Sequence, residues 1–372
     1  MTSAPAVMKR SARPARIGAC VSGHGFGHAT RTIAVLQALG QRMNVELTVV
    51  TTTPVSLYKE SLAMPCRFHA CPVDVGLVQQ SGLLVDIPAT LKMLRVFYQQ
   101  AEQQVAHVAA LLADCDLVLC DIAPLGLAAA KRAGVPAVLM ENFTWDWIYA
   151  AYAEHWPQLR EHIAHFTSFF ELADYRVQAV PICRMVPCDL QVEPIARPLR
   201  NPERLRKRLF LKPDQRLVLL TMGGMGLDQV PVTQLLEQED TVFVLPGWSR
   251  ENEFTANLRF LGSDSSWYHP DLMAAADLVV GKLGYSTVAE AYQSGTPYAY
   301  VPRKDFAESA VLASFVSEHL PSRQIEPELW VSGAWVSILP PLPIRQEPLT
   351  SGRATGADQV AEWLVGLLDG DV

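Results

Sequence analysis

The stretch that most restricts what this chain can fold into runs from Asp271 to Ser309, DLMAAADLVVGKLGYSTVAEAYQSGTPYAYVPRKDFAES. A short apolar run over 277–281 meets a turn of small residues at Gly284, Tyr285, Ser286 and Thr287. A helix follows from about 287 to 294, Gly295 ends it, and Pro297 opens a second strand over 298–301. Strand, turn, helix and strand in that order place the free N–H groups and the positive end of a helix at the turn, which is a ready anion site. Glu290 stands one turn inside the helix, and Asp305 and Glu308 follow the second strand. All of them sit at the carboxyl ends of strands, where an open α/β sheet binds its ligands. Thr287-x-x-Glu290 is also a capping box, in which Glu290 reaches back to the Thr287 backbone. The residues alone leave both readings of Glu290 open.

The chain opens with a similar unit. Residues 16–22 (RIGACVS) read as a short apolar strand, Gly23-His24-Gly25-Phe26-Gly27-His28 as a glycine loop, and 29–39 as a helix with Ile33, Leu36 and Leu39 on one face and Gly40 as its end. The dinucleotide fingerprint is not met. His28 takes the place of the third glycine, and the second strand, 45–50, ends in Thr51-Thr52-Thr53 with no acid for a ribose. That argues against an NAD or FAD enzyme. Further on, 116–120 (DLVLC) reads as a buried strand followed by Asp121, then a helix over 124–133, Gly134 as its cap and a strand over 135–140. Asp121 reads as a helix N-cap. Asn142 and an aromatic run beginning at Trp145 come just past the next strand, on the same rim. There the aromatics either pack the core or offer an acceptor platform.

Five prolines over 181–202 without periodicity mark a linker. A second α/β unit begins with 216–222 (RLVLLTM) and a second glycine turn, Gly223-Gly224-Met225-Gly226. The expected organisation is a loose tail over 1–15, a first Rossmann-like domain over 16–190, a linker over 191–202, a second Rossmann-like domain over 203–355, and a C-terminal helix over 356–372. A length of 372 residues agrees, being too long for one ordinary core. The net charge of −7 argues against general nucleic-acid binding, which needs a basic face. No apolar run reaches the ~20 residues that span a bilayer. No signal-peptide core follows Lys9, Arg10, Arg13 and Arg16, so the expected location is the cytoplasm, with this basic arm suited to weak contact with anionic lipid at the inner face of the membrane. Seven cysteines, three pairs of them with four residues between, read as buried thiols rather than a zinc site.

The segment ADLVVGKLGYSTVAEAYQSGTPYAYVPR resembles the nucleotide-sugar-binding half of GT-B glycosyltransferases, closest to family 28 and family 1. The glycine loop with His28 resembles the histidine loops of the same two families, with His24 extra and Arg31 near where family 1 has a proline. SGHGFGHATR also resembles the glycosyltransferase-like domain of plant arabinose kinases. The resemblance implies a GT-B fold, two Rossmann-like domains facing across a cleft. It implies that Glu290 binds the ribose of UDP, that Gly284, Tyr285, Ser286 and Thr287 with Gly223, Gly224 and Gly226 receive the diphosphate, and that Asp305 and Glu308 touch the donor sugar. His28 would be the base held by Asp121. His24, Asn142 and Trp145 would face the acceptor.

The reading is therefore an inverting, metal-independent transfer of a hexose or N-acetylhexosamine from a UDP-sugar co-substrate, with no cofactor, to a small-molecule, glycan or lipid-linked hydroxyl. Two alternatives share these motifs. One is a UDP-sugar 2-epimerase, which exchanges the sugar C2 hydrogen with solvent. The other is a sugar-nucleotide-binding domain without turnover.

Overall fold

The computed structural model describes residues 13–222, 230–249, 251–262, 267–339 and 354–370. The N-terminal half is built on strands β1 (Ala15–Val21), β2 (Val45–Val50), β3 (Cys66–His69), β4 (Leu117–Asp121), β5 (Ala137–Glu141), β6 (Tyr175–Ala179) and β7 (Leu190–Val192). They form one sheet in the order β3-β2-β1-β4-β5-β6-β7 with every pair parallel. The C-terminal half carries β8 (Arg216–Thr221), β9 (Thr241–Ser249), β10 (Glu253–Thr255), β11 (Leu258–Gly262), β12 (Leu278–Lys282), β13 (Tyr298–Val301) and β14 (Ser322–Gln324). Their order is β10-β11-β9-β8-β12-β13-β14, parallel except for the β10–β11 pair.

Parallel strands covered on both faces need near-continuous apolar sequence. The central strands supply it: LVLCD in β4 and AVLME in β5 are buried at every position. In both sheets the strand order reverses beside the first strand of the half, between β1 and β4 and between β8 and β12. Each reversal opens a crevice at the carboxyl ends of the strands. Gly281 shows how close the second sheet packs there, since a Cβ on it would run into the Thr221 carbonyl.

Several elements differ from the sequence reading. The helix after β1 runs Gly27–Arg42, through Gly40 rather than ending at it. Gly40 serves packing instead, because a Cβ there would collide with the Met64 methyl. The proline-rich linker contains β7, paired to β6 from Val177↔Leu190 to Ala179↔Val192. The last helix, Gly356–Asp369, starts from a Thr355/Asp358 capping box and packs on the first helix and β7. Arg42 donates to Asp358 at 2.8 Å, and Trp363 meets Tyr175 edge-on. Arg13 of the expected tail pairs with Asp116 at 2.6 Å.

The two halves also lend each other side chains. Phe306, on the loop after β13, is buried in the aromatic cluster of the N-terminal half with Phe143 and Trp145. Leu83, from the long segment between β3 and the helix Ile87–Leu112, packs against the cluster on the far face of the C-terminal sheet.

Candidate active site between the two halves

The loop after β1 and the end of β4 meet the loops after β12 and β13 across a cleft lined by His24, His28 and Arg31 on one side and Lys282, Gly284–Thr287, Arg303 and Glu308 on the other. His28 occupies the first turn of the helix Gly27–Arg42, which aims its ring back at the carboxyl end of β4. Its Nδ1 lies 2.9 Å from Asp121 Oδ1. Asp121 is fully buried. Burial alone would raise its carboxyl, but Arg31 and then His28 outweigh it and hold the group below the ordinary carboxylate value. An ionised carboxylate only accepts, so His28 donates from Nδ1 and its Nε2 is left with a lone pair. Among the described residues Nε2 has no hydrogen-bond partner, and the residue lines the cleft.

Asp121 serves more than one partner. Arg31 Nε donates to Oδ2 at 2.9 Å and Arg31 NH2 to Oδ1 at 2.5 Å, while the Thr32 hydroxyl donates to Oδ2 at 3.0 Å. Arg31 is 1% exposed. Its NH1 donates to Asn142 Oδ1 at 2.8 Å, and Asn142 passes the link on from Nδ2 to Glu308 Oε1 at 2.9 Å. Glu308 closes the chain by accepting from Arg303 NH2 at 3.1 Å. A continuous polar chain therefore joins His28 in one half to Arg303 in the other.

His24 is buried beside this chain. The Leu77 N–H donates to its Nδ1 at 3.4 Å, which places the ring proton on Nε2. Burial, then the nearby Arg303, hold its pKa well below the usual histidine value, so the ring is neutral. It is a hydrogen-bond donor to the cleft and no base. Gly76 makes room for it: at φ +64, with the His24 ring where a Cβ would go, only glycine fits.

On the opposite wall the helix Tyr285–Ser294 starts from Gly284 with no side-chain cap. Its first N–H groups are thereby left for a ligand. Ser286 and Thr287 line the cleft there. Tyr285 serves the contact between the halves: its hydroxyl accepts from the Ile195 N–H at 3.2 Å, and the Arg31 guanidinium sits 4.8 Å above its ring. The side chain that sequence reasoning missed here is Lys282, the last residue of β12. It lines the cleft, and its amine makes no ion pair or hydrogen bond among the described residues. Burial, then Arg303, bring its pKa down to about 7. The signal was present in the sequence as a lysine two residues before the glycine turn.

Glu290 is not a capping residue. Its Oε2 lies 2.6 Å from His269 Nδ1 and its Oε1 lies 3.8 Å from Arg197, which also pairs with Glu60 of the N-terminal half at 2.9 Å. Burial would raise the Glu290 carboxyl, and His269 and Arg197 together keep it lowered instead.

Three expected site residues stand elsewhere. Trp145 is fully buried, donates from Nε1 to Asp74 at 2.7 Å, and presents no face to an acceptor. Asn142, also fully buried, is a link in the polar chain rather than an acceptor contact. Asp305 is exposed, and its backbone carbonyl, not its carboxylate, is the group held, by the Tyr152 hydroxyl. Gly223, Gly224 and Gly226 lie outside the described residues. The cysteines are free thiols, and no group of three or more metal-ligating side chains occurs among the described residues. No helix among them is long and apolar enough to cross a membrane.

Known proteins share this frame. The glycotransferase of kitacinnamycin superposes over 96% of this chain and 99% of its own with a TM-score of 0.61 at 17% identity. The calicheamicin glycosyltransferase superposes over 97% and 99% with a TM-score of 0.60 at 15% identity. A UDP-glucosyltransferase from Polygonum tinctorium superposes over 97% and 100%, also at 0.60, with 13% identity. The fold is GT-B. In sequence, L-arabinokinase from Arabidopsis thaliana is 30% identical over a 315-residue alignment that covers 80% of this chain and 29% of that longer protein. The profile of glycosyl transferase family 1 matches residues 15–324, and on that match across both halves the chain belongs to glycosyl transferase family 1.

Proposed function

We propose that the protein transfers a hexose or N-acetylhexosamine from a UDP-sugar to an acceptor hydroxyl, with inversion and without a metal. The observation that carries this reading is the placement of His28. Its Nδ1 is engaged by Asp121 and its Nε2 is free in a cleft whose other wall is a helix N-terminus with an unpaired lysine. Nε2 would take the proton as the acceptor oxygen attacks the anomeric carbon, and Asp121 would stabilise the imidazolium that forms. The departing UDP carries its charge on the diphosphate. The first N–H groups of the helix Tyr285–Ser294, and Lys282 once a bound diphosphate has protonated it, would be the positive groups that meet that charge. Glu290 would accept from the ribose hydroxyls, since a carboxylate paired to His269 keeps lone pairs to spare. Glu308 would orient the sugar. Thr287 and Ser286 complete the diphosphate contact.

Release of UDP tests the reading. The protein is incubated with UDP-glucose or UDP-N-acetylglucosamine and a panel of hydroxyl acceptors, in which L-arabinose belongs because a relative is named L-arabinokinase. Acceptor-dependent UDP release with a β-linked product from an α-linked donor is the expected result. Exchange of the sugar C2 hydrogen without any transfer would point to an epimerase instead.

A further inference from the structure

We propose that Arg31 is the positioning residue of the His28–Asp121 pair: it fixes the carboxylate on the imidazole and ties it, through Asn142, to Glu308 of the opposite half. The proposal rests on the reading of His28 as the acceptor base.

The geometry goes beyond charge neutralisation. One contact to a buried carboxylate would suffice to compensate it. Arg31 instead holds both oxygens of Asp121 as a fork, with a third nitrogen on Asn142 and its Cζ 4.8 Å from the Tyr285 ring centroid. A planar guanidinium used in three directions leaves Asp121 no freedom to rotate. Oδ1 of Asp121 is the atom shared by Arg31 NH2 and His28 Nδ1, and these two nitrogens stand 3.3 Å apart. Both donate to the same oxygen, so the position of Arg31 sets the position of the acceptor that orients His28. A fixed positive charge also stands beside the ring that has to take up a proton. Asn142 can bridge only while Glu308 is docked, so the tie exists only with the two halves together.

The other charged or titratable groups around His28 are His24 in the preceding loop, Asp74 behind it, and Lys282, Tyr285, Arg303 and Glu308 across the cleft. None of these contacts the Asp121 carboxylate among the hydrogen bonds of the described residues. Among the described residues Arg31 is therefore the one cation on that carboxylate, and its removal leaves the charge beside the ring with only the Thr32 hydroxyl as a further donor.

Histidine-selective ¹⁵N NMR of the full chain tests the proposal, with the His28 signal assigned by its loss in His28→Gln. In the wild type His28 is expected as the Nδ1–H tautomer. In Arg31→Met the carboxylate without its cation favours the charged ring, and the pH at which His28 takes up its proton moves up by about one unit or more. Arg31→Lys keeps the charge and fold but loses the fork, and is expected to show a mixture of tautomers with a smaller change in titration. Asn142→Leu cuts only the tie to Glu308 and is expected to move the same signals in the same direction by less. Unchanged tautomer and titration in both Arg31 variants would overturn the positioning role, and an unchanged spectrum in Asn142→Leu would overturn the tie to the C-terminal half. These spectra need neither donor nor acceptor. A wild-type protein that releases no UDP from any donor would contradict the transfer reading alone.

Discussion

Phe306 of the C-terminal half lies parallel to His24 of the N-terminal half, with ring centroids 6.4 Å apart and planes 2° from parallel. The same ring carries the Arg303 guanidinium 3.4 Å above it and meets Phe143 edge-on at 6.3 Å. Phe306 is thus part of the floor of the cleft although it arrives from the opposite half, and it holds the two halves in register next to His28. Phe306→Ala should remove that anchor. A buried phenylalanine truncated to alanine costs about 3–5 kcal/mol. Urea denaturation should show a loss of that size, and a loss under about 1 kcal/mol would mean that the ring is not a packed anchor.

Lys282 makes a sharper prediction because it can be followed through its proton. Its folded pKa of about 7 lies below the ordinary lysine value, so the unfolded chain binds more protons between about pH 7 and 10.4. By linkage, the lysine's contribution to stability rises with pH across that window and is lowest below pH 7, where the buried ammonium is charged. A diphosphate bound beside it favours the charged form. UDP binding at pH 8 should therefore take up close to one proton, seen as a dependence of the calorimetric enthalpy on the ionisation enthalpy of the buffer. Lys282→Gln should abolish the uptake and weaken UDP. Binding with no proton uptake in the wild type would remove Lys282 from the diphosphate site.

How far the sequence carried the reading depended on burial. The strands at 175–179 and 298–301 were legible to the residue, because each is a buried run bounded by turn residues. The edge strands β10 and β14 were not, because EFT and SRQ are three-residue strands with mostly exposed side chains and no apolar alternation to announce them. β7 was hidden among prolines. In the site, the pairing of His28 with Asp121 could be anticipated only through the family resemblance, because the residues alone read Asp121 as a helix cap. The roles of Arg31, Asn142 and Lys282 could not, since each depends on which side chain faces which across 90, 166 or more residues of chain or on an unpaired amine at a strand end. Trp145 shows the reverse. The aromatic run left core and platform both open, Trp145 was expected to face the acceptor, and it is core because the helices over 145–150 and 159–170 fold it inward.

Glu290 has two remaining roles to separate. If it holds the ribose, Glu290→Gln should weaken UDP by about 1.5–3 kcal/mol in binding free energy, the worth of a charged hydrogen bond. A role confined to pairing with His269 and Arg197 would show the opposite pattern, lower stability with UDP affinity unchanged. The pairing of Glu290 with His269 also gives the site an acid limit. Because the folded carboxyl is held below its ordinary value, its contribution to stability is complete above that value and is lost as pH falls through the folded one. Titrating UDP binding against pH in the wild type and in Glu290→Gln would show whether a loss of affinity below the ordinary glutamate range belongs to this residue.

The central claim is that His28 takes the acceptor proton while the opposite wall of the cleft holds the nucleotide. The most direct test is the turnover of His28→Ala measured beside its UDP affinity. Loss of a general base costs about 10²–10⁴-fold in rate. The predicted result is a kcat reduced by that factor with the Kd for UDP within about two-fold of wild type, because Lys282, Glu290 and the helix Tyr285–Ser294 are untouched. A His28→Ala protein that turns over at the wild-type rate would contradict the claim.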